Sequence, residues 1–235
     1  MLVKALASSS AGNCYLISDG SSSLLLECGI PLKDIRRKGV DLLGLSGCLI
    51  SHEHKDHSKA AGDVVKYTHI YASAGTLQHL DLGPYSYRST AIMSGKQFKV
   101  GSYEVVPFEL QHDAEEPLGF LIFSRETGKK LLFATDTFYI HNQFTGVNIV
   151  IVECNFDSAL LKKAVDDDAV PRPYAKRLWG SHFELSNVKE FLRQMDKSRL
   201  EAVYLAHLSD GLSDAKRFRK EIMEVVGVPV YVCDK

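Results

Sequence analysis

The sequence predicts an α/β (α+β) chain in which two β-sheets pack together with helices outside, a four-layered αββα sandwich. Three observations predict it. Short β-type runs cluster at the start, a second cluster fills the middle, and single amphipathic helices fall between and after them. Sheets and helices must each bury one apolar face, and interleaved clusters do so as packed layers. Nothing in the 235 residues favours a split, so the expectation is one domain over 1–235.

The elements follow in order. "LVKAL", "CYLIS" and "SLLLEC" read as strands separated by the Gly/Ser clusters "ASSSAGN" and "DGSSS". "IPLKDIRRKG" reads as a short amphipathic helix ending at Gly39, and "GCLI" as a buried strand running into "SHEHKDH". "SKAAGDVVKY" has helical spacing; a strand "HIYAS" and a short helix "AGTLQHL" come next. "QFKV", "YEVVPFEL", "LGFLIFS", "KLLFAT" and "VNIVIVEC" are strands, whereas "KKAVDDDAVPRPYAKR" reads as a charged surface excursion. Two helices close the pattern. One has Ser186 as N-cap and Val188, Phe191, Leu192 and Met195 on its apolar face. The other follows Ser213 and carries Phe218, Ile222, Val225 and Val226, before a last strand "PVYVC".

Apolar residues are 45% and charged residues 24%, enough for a buried core. A formal net charge of −1 gives no global basic signature, yet a local basic rim suffices to grip phosphates. Five cysteines (Cys14, Cys28, Cys48, Cys154, Cys233) without a CxxC pair, behind an opening "MLVKALASSS" that lacks a leader pattern, predict reduced buried thiols and a cytoplasmic protein. No apolar run approaches the ~18 residues of a membrane span, so no membrane partner is expected.

"SHEHKDH", residues 51–57, places three histidines, a glutamate and an aspartate in seven positions. On an extended segment His52 and His54 point the same way. If the chain then turns helical, Asp56 and His57 face a second, adjacent position, so the spacing suggests two metal ions. Imidazole suits zinc, iron or manganese, and carboxylate the harder members of that set. Further ligand types stand where apolar strands run out: His112 after "YEVVPFEL", Asp136 after "KLLFA", His207 after "AVYLA".

These residues carry a resemblance. "HEHKDH" fits the HxHxDH motif of the metallo-β-lactamase fold, and His112, Asp136 and His207 match its remaining ligand motifs in order. The chain is similar above all to the YycJ (WalJ)-like bacterial and phage nuclease branch. "SSSAGNCYLI" resembles that group's SGSSGNCYL, "HDAEEPLGF" its HDAxEPxGF, "TDT" its TD motif and "HLSD" its HLSxxN. The resemblance implies that His52, His54 and His112 hold a first divalent metal, and Asp56, His57 and His207 a second, with Asp136 bridging. Zinc is the expected ion, manganese or iron the alternatives. Two such ions about 3.5–4 Å apart share an activated hydroxide. The implied activity is a metal-dependent hydrolase, a phosphodiesterase or nuclease acting on DNA or RNA. The alternatives are a thioesterase of the glyoxalase II kind, a small-molecule (cyclic) phosphodiesterase, or a non-enzymatic module stapled by metal.

Within that resemblance Asp56 and His182 are the catalytic candidates. His182, in "SHFELSN", resembles the histidine of a GHLSN-type motif that in RNA-processing members of the fold contacts the scissile phosphate or protonates the leaving oxygen; a helix-capping or structural role is the alternative. Glu27, in "LLLECG", occupies the place of an aspartate that orients a metal-bound histidine; with its extra methylene it either reaches that histidine through a shifted backbone or weakens the support. His69, His79 and His141 have no motif context and read as ordinary histidines; Glu53 and Lys55 read as solvated. The cations "RRK" at 36–38 and Lys216, Arg217, Arg219 and Lys220 read as solvated helix faces, with a grip on a nucleic-acid backbone as the alternative.

Overall fold

The apolar alternation at the start of the chain pairs off as strands. The computed structural model describes residues 1–233 in two units, Met1–Glu109 with Ala114–Lys130, and Leu110–Asp113 with Leu131–Cys233. In the first unit β1 (Leu2–Ser9), β2 (Gly12–Ser18) and β3 (Ser23–Leu26) form antiparallel pairs. The expected helix follows as α1 (Leu32–Arg37), released at Gly39, whose φ of 84° a side chain would resist. Next come β4 (Gly47–Leu49), the short helices α2 (Lys55–Ser58) and α3 (Ala61–Val64), β5 (Ile70–Ala72), α4 (Ala74–His79) and β6 (Ser89–Ala91). β4, β5 and β6 add in parallel, giving a mixed six-stranded sheet in the order β1 to β6. Leu6, Leu25, Cys48, Ile50, Val64 and Ile70 belong to its core.

The same unit holds an antiparallel ladder of β7 (Phe98–Val100), β8 (Tyr103–Glu109) and β9 (Leu118–Ser124). Asp19 ties it to the turn after β2. Its Oδ2 accepts from the hydroxyls of Ser102 at 2.5 Å and Ser124 at 2.7 Å, and its Oδ1 from the backbone N–H groups of Ser21 and Ser22 at 3.0 and 2.8 Å. Burial alone would raise the Asp19 pKa; these donors outweigh it and hold the carboxyl below its ordinary value.

The second unit is a parallel ladder of β10 (Lys130–Ala134), β11 (Ile149–Glu153), β12 (Ala202–Ala206) and β13 (Val230–Val232). Every residue of β11 is buried, as a central parallel strand demands. The stretch expected as a surface excursion folds instead as two helices, α5 (Ser158–Asp166) and α6 (Arg172–Ser181). The Asp157 side chain caps α5 by accepting from Leu160 N at 3.0 Å, and Leu161, Ala175 and Leu178 pack with Phe156 and Leu212. Their apolar positions are split by the acidic turn, so no helical period is visible across the segment.

Two caps also move. α7 (Leu185–Gln194) starts at Glu184, not Ser186, because the Glu184 carboxylate accepts from Ser186 N and Asn187 N. α8 (Ala215–Val226) starts at Asp214, not Ser213, with Asp214 Oδ1 accepting from Arg217 N at 3.0 Å. The expected apolar faces hold: Val188, Leu192, Phe218, Ile222 and Val226 are buried. All five cysteines are buried thiols outside any disulfide. Among the described residues no helix is long and apolar enough to cross a membrane.

Candidate metal centre

In the first unit β4 delivers the chain to Ser51 and His52. Ser51 Oγ shares a hydrogen bond with His52 Nδ1 at 2.9 Å, which turns His52 Nε2 towards His54 Nδ1, 3.1 Å away. The two rings meet edge-on with centroids 4.7 Å apart, so the pair faces one position as the alternation predicts. α2 begins immediately after His54, and this turn brings Asp56 and His57 side by side, with His57 Nε2 3.2 Å from Asp56 Oδ2. His52 and His57 are fully buried.

Two residues hold this loop from beneath. Asn13 Nδ2 lies 3.3 Å from Asp56 O, 3.4 Å from Asp56 Oδ2 and 3.2 Å from His57 Nε2. Glu27, fully buried, accepts from Ser51 N at 3.2 and 3.3 Å and places Oε2 3.6 Å from His57 Nδ1. Glu27 has φ of 63°, the left-handed region that non-glycine residues rarely adopt. Burial raises the Glu27 pKa, opposed by His57 and by the Ser51 donors. Gly29 allows the close approach, since a Cβ there would stand 1.7 Å from Asp56 O.

In the second unit, His112, Asp136, Glu153, His182 and His207 come together. Asp136 follows β10 and His207 follows β12, with φ of 48° and 53°. Asp136 Oδ2 lies 3.6 Å from His112 Nε2, and its Oδ1 lies 3.6 Å from His207 Nε2. The far nitrogens are engaged elsewhere: His112 Nδ1 donates to Ser181 O at 2.7 Å, and His207 Nδ1 lies 3.0 Å from Asn155 Nδ2 and 3.4 Å from Glu153 Oε1. One carboxylate thus offers one oxygen to each of two histidines whose outer nitrogens orient them, the usual support of metal-ligating imidazoles.

Glu153 was invisible to motif reading and is central here. Fully buried at the end of β11, it accepts from Thr137 N at 3.0 Å, Phe183 N at 3.1 Å, Asn155 Nδ2 at 3.2 Å and His182 Nδ1 at 2.7 Å. A carboxylate closing an otherwise apolar run, "IVIVE", was the available signal. Ligand atoms of Asp136, Glu153, His182 and His207 all lie within 4.8 Å of one another. Burial lowers the His182 pKa, but the Glu153 charge and hydrogen bond more than reverse this and lift it to about 9. Burial keeps His112 below its ordinary value, against the pull of Asp136. His182 stands between α6 and α7, its ring stacked on His207 with centroids 5.6 Å apart.

The other polar candidates are occupied structurally. His69 bonds to Thr90 Oγ1 at 2.8 Å, and Glu53 Oε1 accepts from Glu115 N at 2.9 Å. Arg217 pairs with Asp157 at 3.0 Å, Arg219 Nε donates to Val230 O at 2.8 Å, and Arg37 pairs with Asp34 at 3.1 Å. His79, His141 and Lys55 are exposed.

Imidazoles and carboxylates with their outer atoms already held form His/Asp clusters of the kind that bind paired divalent ions, so the donor chemistry fits. The family model of the Beta-lactamase superfamily domain matches residues 28–208, and the chain belongs to that family, as a metallo-β-lactamase-fold hydrolase with a His/Asp metal site. Over 220 residues it is 29% identical to the exodeoxyribonuclease YycJ of Bacillus anthracis, covering 87% of this chain and 81% of that one. Among solved structures it superposes on the metallo-β-lactamase fold protein YhfI of Bacillus subtilis with a TM-score of 0.76 at 16% identity, over 99% of this chain and 95% of that one. It is also similar to Zn(2+)-bound PqqB of Methylobacterium extorquens, TM-score 0.73 at 13% identity, over 100% and 98% of the two chains. These likenesses show the fold predicted from the sequence, the αββα metallo-β-lactamase fold.

Proposed function

We propose that this chain is a dinuclear metal-dependent phosphodiesterase, a nuclease that cuts DNA in the cytoplasm, with 1–235 acting as one domain. His52, His54 and His112 would hold one ion and Asp56, His57 and His207 the other, with Asp136 shared. The observation that carries this reading is Asp136, which aims one oxygen at each of His112 and His207. The exodeoxyribonuclease relative supports DNA as the substrate, and the zinc of PqqB supports zinc over manganese or iron.

Two divalent ions would supply a water of lowered pKa and charge stabilisation at the attacked phosphoryl oxygen. The protein's own residues do the rest. Glu153 holds His182 by Nδ1, leaving its other nitrogen to contact the scissile phosphate or give a proton to the leaving oxygen. Asn13 and Glu27 orient Asp56 and His57, and Asn155 and Ser181 orient His207 and His112. Asp56, 3.2 Å from His57, would both ligate and accept a hydrogen bond from the attacking water.

The test is hydrolysis of bis(p-nitrophenyl) phosphate and of single- and double-stranded oligonucleotides by chelator-stripped protein reloaded with zinc or manganese. Metal-dependent cleavage of the diester and of DNA is expected. Turnover of S-lactoylglutathione without cleavage of any diester would instead establish a thioesterase.

A further inference from the structure

α6 carries more than its packing requires. Its sequence, RPYAKRLWGS, contains three cations and no carboxylate. Ala175 and Leu178 face the packed side, while Arg172, Lys176 and Arg177 are exposed. The single tryptophan of the chain, Trp179, is 48% exposed although its ring rests edge-on against Phe156, centroids 5.2 Å apart.

The last turn of α6 is tied to the candidate centre twice. Ser181 O accepts from His112 Nδ1 at 2.7 Å, and Arg177 Nε donates to Asp113 Oδ2 at 2.7 Å. The other oxygen of Asp113 lies 3.3 Å from His112 Nε2. Exposed by 54% and 42%, the Arg177–Asp113 side chains form a weakly held pair that a phosphate can replace. A guanidinium fork matches phosphate geometry, and an exposed indole stacks any unpaired base.

We propose that the C-terminal half of α6 docks the nucleic-acid strand. Arg177 exchanges Asp113 for a phosphate beside the scissile one, Lys176 follows the backbone, and Trp179 stacks an unpaired base. This rests on the nuclease reading above and names the surface by which that substrate is gripped.

The experiment is fluorescence anisotropy of a labelled single-stranded oligonucleotide with the full chain in EDTA, titrated with salt. Arg177→Gln is expected to weaken binding and flatten the log Kd against log salt slope by about 0.7, with Arg177→Lys restoring the slope. Trp179→Ala is expected to raise Kd about 5- to 100-fold, and Trp179→Phe, which keeps a stacking ring, to recover most of it. Asp113→Asn is expected to bind at least as tightly as wild type. The proposal is overturned if wild type binds no oligonucleotide at low salt, or if Arg177→Gln, Lys176→Gln and Trp179→Ala all bind as wild type does. It is also overturned if Asp113→Asn weakens binding as much as Arg177→Gln, since Arg177 would then only support His112. Hydrolysis of bis(p-nitrophenyl) phosphate by wild type separates the two failures: a diesterase with indifferent α6 variants loses only this surface, and a protein inert on every diester loses the nuclease reading.

Discussion

The two sets of candidate ligands differ in how far apart in the chain their members lie. Residues 51–57 crowd four of them onto one turn, aimed by a serine, an asparagine, the start of α2 and Glu27 beneath. The second unit draws His112, Asp136 and His207 from separate places, two of them strand ends. There the backbone itself is bent into the left-handed region at Asp136 and His207, and a buried carboxylate braces the cluster. Both sets lean on a buried carboxylate and on positive φ, but beneath the loop the strained residue is the support, Glu27, whereas in the second unit the ligands Asp136 and His207 carry it themselves.

Breaking the second arrangement has the largest expected effect. Asp136→Ala removes an oxygen from each of two histidines, so diester hydrolysis should fall about 10³-fold or more, with the circular dichroism spectrum kept. Glu153→Gln should weaken metal binding by about 10- to 100-fold in competition with a chelating dye, and Glu153→Ala should in addition lower unfolding stability by about 3–5 kcal/mol in urea. Glu27→Gln, at 3.6 Å from its histidine, should weaken metal binding less than Glu153→Gln does. Equal losses would erase the contrast between the two regions.

The local loop is probed by Gly29→Ala. Its Cβ would meet Asp56 O at 1.7 Å, so the backbone must shift, with a cost of about 1–3 kcal/mol in urea unfolding and reduced activity. A variant of unchanged stability and rate would show that the loop does not depend on this close approach. The smallest effect lies away from the site. Asp19 has a folded-state pKa below its unfolded value of about 3.9, so its contribution is complete above that pH and disappears as pH falls through the folded value. Urea midpoints of wild type and Asp19→Asn should differ at pH 6, by about 1 kcal/mol in stability, and converge as pH falls through the folded-state pKa.

The same contrast explains what was legible in the sequence. "SHEHKDH" announces itself because its ligands are neighbours, and His112, Asp136 and His207 could be found as polar residues where apolar strands stop. Glu153 ends a strand too, but its role is to receive N–H groups from Thr137, Phe183 and His182, partners far away in sequence. α5 and α6 were misread because an acidic turn interrupts their apolar spacing, and the caps shifted because glutamate and aspartate side chains reached the free N–H groups before the neighbouring serines did. Glu27 is the instructive intermediate: its type and place were readable, and its positive φ was not.

Metal content per chain, measured by elemental analysis after gel filtration, tests the central claim most directly. Two equivalents of divalent metal in wild type, falling towards one in both His52→Ala and His207→Ala, are expected. One equivalent or none in wild type, or a stoichiometry untouched by either substitution, would contradict a dinuclear centre.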